Sequence, residues 1–161
     1  MTVCANGVKW SLEHIHAQNA ETLNTSEKRK EWLRLHYEVL PKGNNEDIKE
    51  LESRITEALN LEVVSRELFT TLQRDVFSFF SEEDNGEYID NLSNMALLNC
   101  ADNAALNNSV FEVKRQQIIE MDKKGHFIPY CTRMVFLKYY NSEINSQLHS
   151  WDENDREAYM A

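Results

Sequence analysis

The sequence predicts a mainly α-helical protein in which a small two-stranded element is embedded among the helices. Glycine and proline are scarce, at four and two residues in a chain of 161, so long helices are expected because few residues interrupt them. Apolar residues recur at helical spacing over two stretches between residues 24 and 60. Two shorter apolar runs, at residues 8–15 and 92–99, have instead the length of strands.

Three helices are predicted between residues 24 and 80. Asn24 and Glu27 match a capping box, and the helix that they begin should end near Leu40, before a Pro-Lys-Gly sequence. Asn45 is a suitable N-cap for the second helix. The third helix is predicted from about residue 62 to residue 80, with a polar loop at 81–87. The residues assigned to the core of this block are Trp32, Leu35, Val39, Ile48, Leu51, Ile55, Ala58, Leu59 and Leu72.

The second half of the chain is predicted to contain the second strand and three further helices. Asn108 or Ser109 is placed to cap the first of these helices, and Gly125 is placed to end it behind two lysines. Pro129 precedes the next helix, and Asp152 stands where the last helix begins. The predicted ranges are 92–99 for the strand, about 109–124 and 130–140 for two helices, and 152 onward for the last.

Composition restricts the class of protein. No apolar run approaches the ~18 residues that a membrane-spanning helix needs, and the N-terminus lacks a basic region followed by an apolar core. The sequence therefore predicts a cytoplasmic protein. The three cysteines are scattered and form no CxxC pair, which argues against a disulfide framework and against a cysteine zinc site. Free thiols in a reducing compartment are expected.

The charge is distributed unevenly along the chain. The net charge is −10, which taken alone is atypical of a nucleic-acid-binding protein. Residues 104–140, however, contain six basic and three acidic residues, whereas the rest contains 11 basic and 24 acidic residues. This distribution allows a local basic surface on an acidic protein, and it equally allows ordinary solvated helix faces.

Glu13 and His14 stand at the end of the first predicted strand. Adjacent strand residues point to opposite faces, so both side chains serve one site only where the strand ends or twists. Phosphodiester cleavage needs a base that is neutral near pH 7, which favours histidine. It also needs a hard divalent cation, which favours oxygen ligands such as a carboxylate. This pair of residue types therefore suits metal-dependent hydrolysis of a phosphodiester.

Two asparagines supply a second part of the pattern. Asn94 and Asn103 are nine positions apart, across the second predicted strand and into the turn before a helix. An amide on a strand can hold a neighbouring loop by bonding its backbone. An amide at the start of a helix can offer its oxygen to a metal ion, although capping the helix is the more common role of such an asparagine.

With these motifs, the chain resembles the C-terminal HNH domain of GmrSD-type modification-dependent restriction endonucleases. The resemblance spans nearly the whole chain, with several motifs in the same order. The matching stretches are EHIHAQ from Glu13, SNMALL from Ser93, NAALNNSVFEVKR from Asn103, FIPYCTRMVF from Phe127 and WDENDREAY from Trp151. Two positions depart from the family pattern, since Ala17 stands where proline is usual and Ser93 where glycine is usual.

The resemblance implies a mainly α fold with a small two-stranded ββα-metal (His-Me finger, HNH) element. It implies that His14 is the general base and that Asn94 holds the loop carrying it. It also implies that Glu13 and Asn103 bind one Mg²⁺ or Mn²⁺ ion. Asn107 is a weaker candidate for a third ligand.

The resemblance also implies how the chain is organised. Residues 1–161 form a single HNH-type nuclease domain, with ββα-metal parts at about 8–19 and 91–124. A helical insertion covers about 24–80, and C-terminal helices cover about 129–161. The family's N-terminal nucleotide-binding domain is missing, and no Gly-rich phosphate loop occurs in the sequence. The chain is therefore expected to be a fragment, a separate subunit or a truncated product.

The predicted function is that of a metal-dependent DNA endonuclease that restricts modified or phage DNA. DNA is the expected partner, with Lys114 and Arg115 on the phosphates, and a nucleotide-binding domain or subunit is a second expected partner. Both residues are equally well explained as solvated charges. The alternative function is a non-catalytic helical module that docks the nucleotide-binding partner. A further alternative is that His14 and His16 form an HxH zinc pair.

Overall fold

The structure is a computed structural model that describes residues 2–5, 8–17, 23–80, 90–106, 109–140 and 149–161. Within these ranges it has seven α-helices and a three-stranded antiparallel sheet. The predicted class, mainly helical with a small sheet, is confirmed. The strands are β1 (Thr2–Ala5), β2 (Val8–His14) and β3 (Met95–Asn99); the helices are α1 (Ser26–Val39), α2 (Glu46–Asn60), α3 (Arg66–Phe80), α4 (Cys100–Leu106), α5 (Phe111–Lys123), α6 (Tyr130–Phe136) and α7 (Glu153–Met160).

The sheet has one strand more than predicted. Its order is β1-β2-β3, so β2 lies in the middle and pairs on both sides. Ala5 pairs with Val8, which leaves Asn6 and Gly7 as the connection in sequence. An Asn-Gly pair between two apolar stretches is the strongest short-range hairpin signal, and it would have predicted β1. The predicted strand over residues 8–15 matches β2 within one residue.

Helices α1, α2 and α3 share one hydrophobic core. Trp32, Leu51, Ile55 and Leu72 are buried in it, as predicted, whereas Leu35 is partly buried at its edge. Val113 in the first turn of α5 and Val110, the residue before α5, belong to the same core. The helical block is thus packed against α5 through apolar contacts.

His36 adds a polar connection between the same elements. Its Nδ1 donates to the backbone oxygen of Trp32 (2.7 Å), and its Nε2 accepts from the backbone N–H of Val110 (3.3 Å). This arrangement requires the neutral imidazole. Burial lowers the pKa of His36 to about 3, so the ring stays neutral at physiological pH.

A second core lies between the sheet and the C-terminal helices. Phe111 stacks on Phe136 and on Trp151, with ring centroids 5.6 and 5.8 Å apart. Ala96 and Leu98 contribute the inner side of β3 to this core. The core holds α5, α6 and the start of α7 around β3.

Several helix and strand ends differ from their predicted positions. Thr25, rather than Asn24, caps α1 by accepting a hydrogen bond from the backbone N–H of Lys28. Helix α3 begins at Arg66 rather than near residue 62, and Leu92–Asn94 form a 3₁₀ turn before β3. Helix α4 was not predicted, because a turn was expected at that place.

Other predicted ends are confirmed. Asn45 caps α2, and Asp152 caps α7 in a reciprocal capping box with Asp155. Gly125 has φ +82° and follows α5, where the left-handed conformation favours glycine. Val110 precedes α5 without a side-chain cap, so Ser109 does not cap it. The predicted loop at 81–87 and the predicted cap at Asn108 lie outside the described residues.

Leu51→Ala should lower the free energy of unfolding by about 2–5 kcal/mol, because a fully buried leucine is replaced by a cavity. Leu51 is 2% exposed. Leu61→Ala is the matched control, since Leu61 is 45% exposed and should cost about 0.5 kcal/mol or less. Denaturant unfolding measures both variants. Equal losses for the two would mean that α2 packs through a different face.

Candidate active site

The two faces of β2 separate the candidate residues. Alternation along the strand places Ser11 and Glu13 on one face and Leu12 and His14 on the other. Glu13 is buried, whereas Leu12 is 39% exposed. The Ser11–Glu13 face therefore points into the protein, and the Leu12–His14 face points outward. Strand β2 ends at His14, the position at which the prediction required a strand end.

His14 presents a partly exposed imidazole at the end of β2. Its side chain is 35% exposed, and its Nε2 lies 3.2 Å from Oδ1 of Asp90, whose side chain is 92% exposed. If neutral His14 donates through Nε2–H to this carboxylate, its Nδ1 keeps a free lone pair. The imidazole is therefore oriented by a partner while one nitrogen can accept a proton.

Glu13 is engaged in a buried ion pair. The ammonium Nζ of Lys114 lies 2.5 Å from Oε1 of Glu13 and 2.5 Å from the backbone oxygen of His14. The Lys114 side chain is completely buried, and the Glu13 side chain is 8% exposed. Burial lowers the pKa of Lys114, and the neighbouring Glu13 carboxylate opposes that shift. One buried cation thus holds both residues of the Glu13–His14 pair.

Asn94 lies fully buried and binds the backbone of the segment that follows β2. Its Oδ1 accepts from the backbone N–H of His16, and its Nδ2 donates to the backbone oxygen of His16, both at 2.9 Å. The backbone oxygen of Asn94 also accepts from the N–H of Ile15 at 2.8 Å. These bonds hold the chain that leaves His14, the role that the resemblance implied for Asn94.

Asn103 lies on α4 and faces β2. Its Nδ2 donates to the Ser11 hydroxyl at 2.6 Å and lies 3.4 Å from the backbone oxygen of Leu12. Since the amide nitrogen makes both contacts, the Oδ1 oxygen is the atom that can ligate a cation. Asn103 thus contacts the inward face that also carries Glu13. Asn107, the weaker ligand candidate, lies outside the described residues.

The residues predicted to contact DNA phosphates are placed differently from each other. That prediction needs exposed side chains, and Lys114 is instead the buried partner of Glu13. The buried Glu13 carboxylate is the partner that allows the Lys114 ammonium to be buried. The sequence pattern did not reveal that Glu13 lies in the interior. Arg115 has a side chain that is 21% exposed, with Nη1 3.4 Å from Oε1 of buried Glu112. The structure therefore leaves Arg115 as the accessible member of the pair.

His16 does not resemble a metal ligand here. It is buried, and neither of its ring nitrogens has a hydrogen-bond partner. Burial, with smaller contributions from Lys114 and Arg156, lowers the pKa of His16 to about 4. In the described parts of the chain, no three His, Cys, Asp or Glu side chains form a metal-binding group, so an HxH zinc site has no third ligand of these types there.

A hard cation suits the donor chemistry of Glu13 and Asn103, since both offer oxygen atoms. The second carboxylate oxygen of Glu13 and Oδ1 of Asn103 are the atoms that would hold it. The Lys114 ammonium is already seated on Oε1 of Glu13, and its like charge opposes a second cation. Two oxygen donors beside a buried ammonium would therefore favour weak binding of a hard cation over a tight structural metal.

Sequence reasoning missed two partners of the candidate site. Asp90 pairs with His14 across 76 sequence positions, and no local pattern indicates this contact. Asp102, one residue before Asn103, is buried, and its Oδ1 lies 2.8 Å from Nδ1 of His126. The position of Asp102 directly before a predicted metal ligand could have marked it as a candidate site residue.

No protein-family model, curated protein or solved structure matches the chain. Among the described residues, no helix is both long enough and apolar enough to cross a membrane.

Lys114→Met should destabilise the protein by about 3–5 kcal/mol, because it leaves the Glu13 carboxylate buried without a counter-charge. The double variant Glu13→Gln/Lys114→Met should recover much of this loss, since it removes both charges. Denaturant unfolding of Lys114→Met, Glu13→Gln and the double variant completes a double-mutant cycle, which gives the coupling energy between the two side chains. A coupling energy below about 0.5 kcal/mol would contradict a strong buried ion pair.

Proposed function

We propose that this protein is a metal-dependent DNA endonuclease domain that hydrolyses phosphodiester bonds. The observation that carries the proposal is the fixed end of β2. There the imidazole of His14 is partly exposed, and the backbone that follows it is held by two hydrogen bonds to the buried amide of Asn94. The resemblance to the HNH domain of GmrSD-type enzymes supports the same assignment.

His14 acts as the general base in this proposal. Its Nδ1 takes the proton of the attacking water, while Asp90 accepts from Nε2–H and stabilises the imidazolium that forms. The 3.2 Å contact to Asp90 gives the ring a hydrogen-bond partner at Nε2. Asn94 acts as a positioning residue, because its amide bonds the backbone that follows His14.

Glu13 and Asn103 are the residues that would hold the cation. When bound, Mg²⁺ or Mn²⁺ supplies positive charge that stabilises the phosphate as negative charge develops on it. The ammonium of Lys114 neutralises part of the Glu13 charge and fixes the carboxylate against the end of β2. The protein contributes a fixed carboxylate, an amide oxygen and an oriented base.

The biological role that we propose is restriction of modified or phage DNA in the cytoplasm, together with a nucleotide-binding domain or subunit. This part of the proposal rests on the family resemblance. Arg115, whose side chain is 21% exposed, is the DNA-phosphate contact that we retain from the sequence prediction.

The buried Lys114–Glu13 pair favours a second candidate function, a non-catalytic module that docks a nucleotide-binding partner. A carboxylate that is already neutralised by an ammonium group needs no metal ion to be stable in the interior. In that case the pair is purely structural. Cleavage assays and metal titration separate the two candidates.

His14→Ala should lower single-turnover cleavage of plasmid DNA by about 10²–10⁴-fold, the usual contribution of a general base. His14→Asn should be similarly inactive, since an amide cannot accept the proton of water. His16→Ala is the matched control and should lose less than about tenfold, because buried His16 cannot reach the substrate. Circular dichroism checks that every variant is folded. An inactive His16→Ala beside an active His14→Ala would show that the wrong histidine had been assigned.

Metal binding is expected to be weak, with Kd about micromolar to millimolar for Mn²⁺. Calorimetric titration should give heat with the unaltered protein, and this heat should disappear in Asn103→Ala. Asn44→Ala, at an exposed amide before α2, is the control and should leave Kd unchanged. Stoichiometric zinc that survives chelation would contradict the assignment of oxygen ligands.

A further inference from the structure

The outward face of β2 and its neighbour β3 carries exposed apolar side chains beside His14. We call the residues Trp10, Leu12, His14, Leu97 and Phe127 the outer face. Leu12 and Leu97 pair directly across the two strands and are 39% and 41% exposed. Trp10 shares their face because it precedes Leu12 by two strand positions.

Phe127 extends the outer face beyond the sheet. Its ring lies 5.9 Å from that of Trp10 in an edge-to-face arrangement, yet it is 72% exposed. Its neighbour His126 is bound to buried Asp102, which in turn accepts a hydrogen bond from Asn99 at the end of β3. The polypeptide that presents Phe127 is therefore tied to the sheet on which Trp10 stands.

Exposed aromatic rings of this kind indicate a binding surface. Leaving a phenylalanine in water forfeits the stabilisation that its burial would provide, and contiguous exposed apolar residues commonly mark interaction sites. Unpaired bases stack on aromatic side chains with little dependence on sequence. A double helix offers no such base face, because its bases are already stacked.

The charge near Phe127 suits a polyanion. Residues 123–133 contain three basic and no acidic residues in a chain with net charge −10. Lys123 and Lys124 are both exposed. Arg133 is paired with Asp122, and Lys124 with Glu120, so Lys123 is the position that we expect to contribute most.

The spacing along β2 connects this surface to the proposed base. Trp10 and His14 are four strand positions apart, about 13 Å at ~3.3 Å per residue. That distance matches about four stacked nucleotides at ~3.4 Å per step. A DNA strand that ran along β2 with a phosphate at His14 would therefore place one of its bases near Trp10 and Phe127.

We propose that the outer face binds single-stranded DNA by stacking an unpaired base against Trp10 and Phe127, next to the His14 site. This inference rests on the proposed nuclease function, since it names the form of DNA that the site accepts. It predicts preference for an unpaired stretch at the cleavage position over an uninterrupted duplex.

Tryptophan fluorescence offers a direct test, because Trp32 and Trp151 are buried, at 1% and 4% exposure, whereas Trp10 is partly exposed. The titration uses His14→Ala protein without divalent metal, so that no cleavage is needed. Twelve-nucleotide oligothymidine should quench the fluorescence, and this quenching should disappear in His14→Ala/Trp10→Phe. A blunt 12-base-pair duplex should bind more weakly.

Phe127→Ala in the same background should weaken oligothymidine binding by about 5- to 150-fold, the loss expected for one stacked base. Fluorescence anisotropy of a labelled oligonucleotide measures it. Tyr37→Ala is the matched control, since Tyr37 is an exposed aromatic on α1, and it should leave the affinity unchanged. Circular dichroism verifies that each variant is folded.

Equal affinity of Phe127→Ala and the parent for oligothymidine would overturn the proposal. So would a change of molecular mass in solution on Phe127→Ala without a change of DNA affinity, because the face would then bind a second copy. Plasmid cleavage by unaltered protein, assayed in parallel, keeps the two ideas distinguishable. If cleavage persists while oligothymidine does not bind, the nuclease assignment stands and the outer face is not its DNA surface.

Discussion

The buried ammonium of Lys114 is the interaction on which the candidate site depends. It connects α5 to the end of β2 by bonding the Glu13 carboxylate and the backbone oxygen of His14. Transfer of a lysine to the interior is costly unless the charge is paired and hydrogen-bonded. Because the pairing partner and the carbonyl belong to consecutive residues, the position of α5 and the end of β2 cannot vary independently.

Asn94 completes this arrangement from the other side of the strand end. Lys114 holds the carbonyl of His14, and Asn94 holds both backbone groups of His16. Both fixed points lie within two residues of the His14 side chain, which is partly exposed. A partly exposed histidine on a backbone fixed by buried hydrogen bonds is presented from a defined position, which a general base requires.

Local signals accounted for much of the fold and for the residue types of the site. The stripe of Ile48, Leu51 and Ile55 and the cap at Asn45 predicted α2, because these effects act within one helix. The burial of Lys114 could not be predicted in the same way. A lysine three positions into a helix is usually solvated, and only the fold places it against Glu13, 101 positions earlier. The contact between His14 and Asp90 spans 76 positions and could not be predicted from local sequence for the same reason.

The helical block between β2 and β3 has a physical route to the site through His36. This buried ring stacks on Trp32 in α1 and accepts a hydrogen bond from the N–H of Val110, immediately before α5. Nε2 can accept this hydrogen bond only while the imidazole is neutral, because protonation of Nε2 would remove its lone pair and break the bond to Val110. Helix α1 thus contacts the start of α5 through His36. Helix α5 carries Lys114, whose ammonium bonds the end of β2. The block is therefore part of the frame that positions Glu13 and His14, and not only a surface for a partner. The contacts of His36 with Trp32 and Val110 therefore connect α1 to the start of α5, and Lys114 connects α5 to the backbone that carries the candidate base.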